Sequence, residues 1–291
     1  MAVEISTRVG IAEQRASSGS SLRRAVPHVI LGDIPIFDGT SEDALAFCMD
    51  ALERGEGARI ATANLDFFAI ARTNEELVDD LQRSSIVVAD GAPVVALGRL
   101  AGARRIERTT GVDFALALCR EGGRRGPFRV AMYGSDPETA DRAARALEAT
   151  SPGVEIVLRL SPPFRSPTPE ERAADRAAIA ACDPHLVLVA LGCPKQERVI
   201  REYFDAAPQA LWIGIGGAFD FFAGKRRRAA PIFQRLGLEW VVRLVQDPRR
   251  LASRYLRRDL PVLPPLLAEA ASLRFEVHRP RWTRARTSRQ R

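Results

Sequence analysis

The chain has 291 residues, of which 46% are hydrophobic and 27% charged, with a net charge of +7. This is the balance of a soluble globular protein with a full core, built as one large or two small domains. Four cysteines (Cys48, Cys119, Cys182, Cys193) without CxxC spacing, and three histidines away from them, count against a zinc site and a disulfide framework, and predict free thiols in a reducing cytosol. No stretch approaches about 18 uninterrupted apolar residues, so no transmembrane helix is expected.

Residues 1–27 carry charges throughout and no periodicity. They are expected to be disordered and not to form a secretory signal. From about His28 the pattern becomes regular. Residues 42–54 predict a helix with Leu45, Cys48, Met49 and Leu52 on one face, and residues 59–63 a short strand. A helix is expected over 66–82 and a buried strand over 85–89. A loop follows, then a helix over 112–121. Strands over 128–133 and 154–159 alternate with helices over 136–149 and 168–182, and the Pro-rich stretch 161–169 reads as a loop. Residues 185–191 form the most apolar strand, followed by a helix from about Lys195, a strand over 210–215, and helices from Pro231 to Leu256. Continuous apolar strands alternating with helices predict a parallel sheet covered on both faces. Ligands of such sheets bind at the carboxyl ends of the strands.

Polar and glycine-containing motifs fall at those ends. Thr62 and Asn64 follow the first strand, where they can bind a ligand or cap the next helix. Asp90, between a buried strand and Gly91, is either a general base or a turn carboxylate bonded to its own backbone. In Glu107-Arg108-Thr109-Thr110-Gly111 the helix start offers free N–H groups to an anion and Arg108 adds a charge, unless that arginine is merely solvated. Gly192, Lys195 and Gln196 surround the start of another helix; Lys195 is one of only two lysines in the chain. Gly214, Gly216 and Asp220 form a glycine-rich turn that lacks the full dinucleotide spacing. Arg243, Arg250 and Arg254 are spaced by seven and four residues, which on a helix lines one face suited to a diphosphate or to solvent, though Pro248 can bend the run. There is no DxD pair of the kind that holds a sugar-nucleotide diphosphate through a metal ion, which favours the arginines for that task.

The ordered set Thr62-x-Asn64, Asp90-Gly91, Glu107-Arg108-x-Thr110-Gly111-x-Asp113, Gly192-x-Pro194-Lys195-Gln196-Glu197, Gly214-x-Gly216-Gly-Ala-Phe-Asp220, Gly237-Leu-Glu239-Trp240-x-x-Arg243 and Pro248-x-Arg250 resembles the WecG/TagA/CpsF glycosyltransferases, glycosyltransferase family 26. The resemblance spans roughly residues 30–260. It implies a Rossmann-like, mostly parallel α/β sheet over 28–240, a helical C-terminal appendage over 241–270 and a basic tail over 271–291. It implies a metal-independent, inverting enzyme with no cofactor, which takes a UDP-sugar donor and a polyprenyl-diphosphate-linked acceptor at the inner face of the plasma membrane. It makes Asp90 the catalytic base with Thr62 beside it. Arg243, Arg250 and, more loosely, Arg254 then stabilise the leaving diphosphate, and Asn64, Arg108, Thr110, Lys195 and Gln196 bind substrate. Members can self-associate as homo-oligomers.

Two other classes were open to the residues alone. A nucleotide-dependent dehydrogenase or epimerase lacks its fingerprint here. A nucleic-acid-binding protein rests on the tail only, because the core has no basic stripe interleaved with aromatics.

Residues 241–291 hold 13 arginines and 4 acidic residues, a balance of +9 that leaves residues 1–240 at about −2. With Leu256, Leu260, Leu263, Leu266, Leu267 and Trp282 this segment is suited to an anionic membrane surface, at up to about 1 kcal/mol per basic residue. Deleting residues 271–291 is expected to weaken co-sedimentation with anionic vesicles; unchanged binding would remove the tail from membrane docking.

Overall fold

The computed structural model describes residues 26–277 except 164, 231 and 234–238, and side chains at 243, 250 and 275–277 also fall outside the described set. The expected disorder of residues 1–27 and the basic tail beyond Val277, Trp282 included, lie essentially outside the described residues.

The fold opens with an antiparallel hairpin, β1 (His28–Leu31) and β2 (Ile34–Phe37), in register His28↔Phe37 to Leu31↔Ile34. Its two-residue turn has positive φ at both Gly32 (52°) and Asp33 (64°), which matches the right-handed twist of the strands. Helix α1 (Ser41–Glu53) is started by a capping box between Thr40 and Asp43. Next come β3 (Ala58–Ala63), α2 (Leu65–Ala71), α3 (Glu75–Gln82), β4 (Ile86–Ala89), α4 (Ala92–Leu100) and α5 (Gly111–Arg125). Then follow β5 (Phe128–Gly134), α6 (Pro137–Thr150), β6 (Val154–Leu160), α7 (Pro169–Cys182), β7 (Leu186–Ala190), α8 (Lys195–Tyr203), β8 (Leu211–Gly214) and α9 (Ala218–Phe222). The appendage consists of α10 (Glu239–Gln246), α11 (Pro248–Arg254), a π-turn over Tyr255–Asp259, a 3₁₀ turn over Leu260–Val262 and α12 (Leu263–Val277).

The main sheet has six parallel strands in the order β4-β3-β8-β7-β5-β6. Every residue of β4, β7 and β8 is buried. Alternation sends Leu186 and Leu188 of β7 to one face, among Val112, Phe114 and Leu118 of α5 and Ala143 and Leu147 of α6. Val187 and Val189 face the other way, with Tyr133, Tyr203 and Trp212. A second cluster on that side joins Ala61, Val87 and Ala89 to Phe67, Phe68, Leu77 and Leu81, to the hairpin residues Val29, Leu31, Ile34 and Ile36, and to Leu266, Ala270 and Leu273 of α12. The α/β class and parallel sheet expected from the apolar runs are thus present, with helices on both faces.

Four local expectations are corrected. The helix expected over 66–82 is two helices, because Asn74 accepts the Leu77 amide at 3.0 Å and starts α3 anew. The loop expected after Gly91 contains α4, whose Pro93 occupies the first turn, where its missing donor costs nothing. The arginine-bearing run at 243–254 is not one continuous helix. Pro248 opens α11 after a break at Asp247, so Arg243 and Arg250 sit on different helices. Leu266, expected on an exposed apolar face, is buried against the hairpin, whereas Leu256, Leu260 and Leu267 are exposed. Nothing in the strand and helix alternation anticipated the hairpin.

Trp212 is fully buried in β8, and its Nε1 donates to the Ala207 carbonyl at 3.0 Å. Trp212→Ala removes that volume beneath the glycine-rich strand end and is expected to cost about 3–5 kcal/mol in a urea unfolding titration.

Candidate active site at the carboxyl ends of the strands

The parallel strands deliver their carboxyl ends to one edge of the sheet. At the end of β3 the Thr62 hydroxyl donates to the Gly214 carbonyl of β8 at 2.9 Å, and Thr62 is buried. A Cβ on Gly111 would sit 3.2 Å from Thr62 Oγ1, so the start of α5 closes directly over this bond. Thr62 therefore braces β3, β8 and α5 and forms the floor of the site. Asn64 caps α2 by accepting the Asp66 amide at 3.0 Å, and its Oδ1 also receives Arg254 Nη2 at 3.3 Å. The cap and a polar contact from the appendage thus coexist at one side chain.

Asp90 emerges half-exposed where β4 ends, with its amide bonded to the Ala63 carbonyl at 2.8 Å. Gly91 follows at φ 122°, a backbone that L side chains rarely adopt, and turns the chain sharply into α4. The next segment is pinned alongside. Thr109 N donates to the Ala89 carbonyl at 2.9 Å, and the Thr109 hydroxyl meets that of Ser41 at 2.8 Å. Thr110 caps α5 through the Asp113 amide, and its hydroxyl bonds Asp113 Oδ2 at 2.7 Å. Thr110 is buried and occupied by its own helix.

On the other side Gln196 forms a clasp. It is buried, and its Oε1 accepts from Gly192 N at 3.2 Å and Gly216 N at 2.8 Å. Its Nε2 donates to Glu197 Oε1 at 2.8 Å, which fixes the orientation of the amide. A Cβ at Gly214 would come within 2.5 Å of Gln196 Nε2, so only glycine lets the clasp approach β8. Gln196 thus shapes the ends of β7 and β8, while Lys195, one residue earlier, is exposed at the start of α8. Burial raises the Glu197 carboxyl to about 7, against the hydrogen bonds it receives from Gln196 and Cys193.

The loop after α9 and the appendage supply the arginines. Asp220 pairs with Arg226 at 3.1 Å and accepts the Arg226 amide through its carbonyl, which folds the turn that leads to Arg228. Arg228 bonds both oxygens of Asp113, with Nη2 to Oδ2 at 3.0 Å, and lies 3.6 Å from Glu239. Glu239, buried at the start of α10, also receives Arg108 Nη1 at 3.3 Å. Burial alone would raise the Asp113 carboxyl. The hydrogen bonds from Arg228 and Thr110, with the charges of Arg228 and Arg108, outweigh it and hold Asp113 below its usual value.

A second network anchors Arg254. Its Nε lies 3.3 Å from both Asp66 and Asp259, and Arg258 reaches Asp66 at 2.6 Å. Burial pushes the Asp259 carboxyl up to about 6, with Arg254 opposing and Asp66 reinforcing the shift. Arg254 is thus occupied by carboxylates, as a tether between α2 and the appendage. The helices place the backbones of Arg243 and Arg250, whose side chains lie outside the described residues.

Sequence reasoning singled out neither Arg228 nor the Asp66–Asp259 pair. Arg228 ends the run Lys225-Arg226-Arg227-Arg228, which reads as a solvated charge cluster; only the fold shows that the first three are exposed and the fourth is not. Among the described residues no group of three or more His, Cys, Asp or Glu is arranged to hold a metal ion.

Because the folded protein favours protonated Glu197, stability is fullest below its unfolded value of 4.5 and declines as pH rises to about 7. Glu197→Gln is expected to flatten that decline in urea midpoints measured between pH 4.5 and 7; an unchanged slope would mean that Glu197 is not the group responsible.

Two comparisons with known proteins agree with this layout. The model of the glycosyl transferase WecG/TagA/CpsF family matches residues 29–275. A relative from Bacillus spizizenii (strain ATCC 23059 / NRRL B-14472 / W23), an N-acetylglucosaminyldiphosphoundecaprenol N-acetyl-beta-D-mannosaminyltransferase, is 33% identical over 199 residues, covering 68% of this chain and 75% of that protein. The chain is a glycosyltransferase and belongs to the WecG/TagA/CpsF family.

Proposed function

We propose that this enzyme moves a sugar from a UDP-sugar onto a saccharide carried by a polyprenyl diphosphate, in the assembly of a cell-surface polysaccharide. The observation that carries the reading is Asp90. It is a half-exposed carboxylate at a parallel-strand end, within electrostatic reach of Arg228, in a chain whose relative is named for transfer to a diphosphoundecaprenol-linked sugar. The relative's name favours N-acetylmannosamine as the sugar over its uronic acid or glucose, and N-acetylglucosaminyl diphosphoundecaprenol as the acceptor.

The reaction is a single displacement. Asp90 takes the proton of the acceptor hydroxyl, whose oxygen bonds the anomeric carbon while the bond from that carbon to the UDP oxygen breaks. Attack opposite the leaving group inverts the centre. The charge that develops on UDP meets arginines and the backbone N–H groups of the strand-end loops, which Gln196 shapes. In this reading Arg243 and Arg250 of the appendage serve this task, with Lys195 at the donor and Asn64 at a sugar. Thr62 supports them as the floor. The lack of a DxD pair and the number of arginines support metal independence.

The acceptor is lipid-borne in this reading, so the protein meets its substrate at a membrane, on the cytoplasmic face. No described helix is long and apolar enough to cross one. Trp240, Val245, Leu256, Leu260 and Leu267 leave apolar side chains exposed on the appendage, which supports peripheral attachment.

UDP release from a panel of UDP-sugars, with a short-chain polyprenyl-diphosphate-sugar acceptor and EDTA present, tests the reading. Acceptor-dependent turnover that falls at least about a hundredfold in Asp90→Asn is expected. Turnover by no donor would remove the reaction, and full activity in Asp90→Asn would reassign the base.

A further inference from the structure

Four charged side chains from three separate segments meet in one network. Arg108 comes from the segment that Thr109 pins to the end of β4. Asp113 comes from the first turn of α5, Arg228 from the loop after α9, and Glu239 from the first turn of the appendage. The links are continuous: Asp113 to Arg228, Arg228 to Glu239, Glu239 to Arg108. Glu239 is buried and Arg228 largely so, which leaves both little freedom to reorient. Two guanidinium groups are balanced by two carboxylates, and Asp90 is the further negative group within electrostatic reach of Arg228.

A cation bracketed on both sides differs from a solvated arginine. Water cannot screen it well, and its position is set by two partners that belong to different parts of the fold. We propose that Arg228 is a positioning residue for the transfer step, held as a fixed cation beside Asp90 by Asp113 of the core and Glu239 of the appendage. The role rests on the reading of Asp90 as the base. In the free enzyme the cation favours the ionised form of the Asp90 carboxylate. Glu239 moderates that field, because its charge opposes that of both arginines. One acidic side chain of the appendage thereby sets the electrostatics of a base on the sheet.

Opposite charge changes on the two sides of the bridge must then have opposite effects on Asp90, which general loosening of the fold would not produce. Among the described residues Arg228, from the loop after α9, acts on Asp90 through space; Arg108 and Asp113, from the segment before α5 and its first turn, and Glu239, from α10, are linked to it in the network. The measurement is the titration of Asp90 in the full-length chain labelled with carboxyl-13C aspartate, its resonance assigned by loss in Asp90→Asn. Arg228→Met is expected to raise the Asp90 midpoint by about one pH unit, and Glu239→Gln to lower it by a smaller amount. Arg228→Lys, which keeps the charge but not the fork, is expected to hold the midpoint near wild type while kcat falls and the donor KM changes little.

Midpoints that do not move, or that move in the same direction in Arg228→Met and Glu239→Gln, overturn the inference. If Arg228→Met does not fold, the downward shift in Glu239→Gln and the unchanged midpoint in Arg228→Lys decide it. The two readings separate cleanly. Opposed shifts with full turnover in Asp90→Asn keep the charge bridge and reject the base. Static midpoints with an inactive Asp90→Asn keep the base and reject the bridge.

Discussion

Strands β4, β7 and β8 are buried along their whole length and leave no room for charge, and this constraint organises the molecule. Leu186 to Ala190 and Leu211 to Gly214 are wholly enclosed, so each strand can present polar chemistry only where it ends. Because all six strands run the same way, those ends share one edge of the sheet. The floor is then made rigid by a few buried hydrogen bonds, from Thr62 to Gly214 and from Gly192 and Gly216 to Gln196. The first joins two strand ends directly, and the others tie the loops after β7 and β8 to the first turn of α8. Asp90 stands at the edge of this platform, with its amide bonded to the Ala63 carbonyl of β3.

Two acid–arginine networks seat the appendage on the platform, one at each side. Glu239 is held by Arg108 and Arg228, and Arg254 and Arg258 are held around Asp66 and Asp259. Buried ion pairs of this kind add little net stability when desolvation is counted, but a pair that loses one partner is strongly unfavourable. Their contribution is geometric: the appendage fits in one place, where both networks close together.

Most of the sheet was legible in the chain because its signal is long and redundant. Runs such as residues 185–191 and 210–215 are too apolar for any other role, and helices α6 and α7 carry clear caps. The hairpin was missed although Gly32-Asp33 between two apolar runs is a turn signal, because strands of four residues give too few alternations to be recognised. Helix α4 was hidden by Gly91, Pro93 and Gly98, each of which lowers helix propensity until the fold gives it a place. At the site, motif order located the residues but not their tasks. Thr62, Thr110 and Gln196 hold the backbone, and Arg254 holds carboxylates. The Thr110 cap is local, but the tasks of Thr62, Gln196 and Arg254 depend on partners 20 to more than 100 positions away in the chain, which no local pattern encodes.

The last helix packs against the first hairpin. Leu266, Ala270 and Leu273 fill the same cluster as Val29, Leu31, Ile34 and Ile36, and Glu269 receives the Gly32 amide at 3.0 Å. During synthesis the ribosome delivers the hairpin about 230 residues before its partner. Half of the core around β3 and β4 therefore stays open until translation has passed α12 and the segment has cleared the exit tunnel. The cluster that backs the strand end bearing Asp90 is therefore closed only once α12 has left the ribosome.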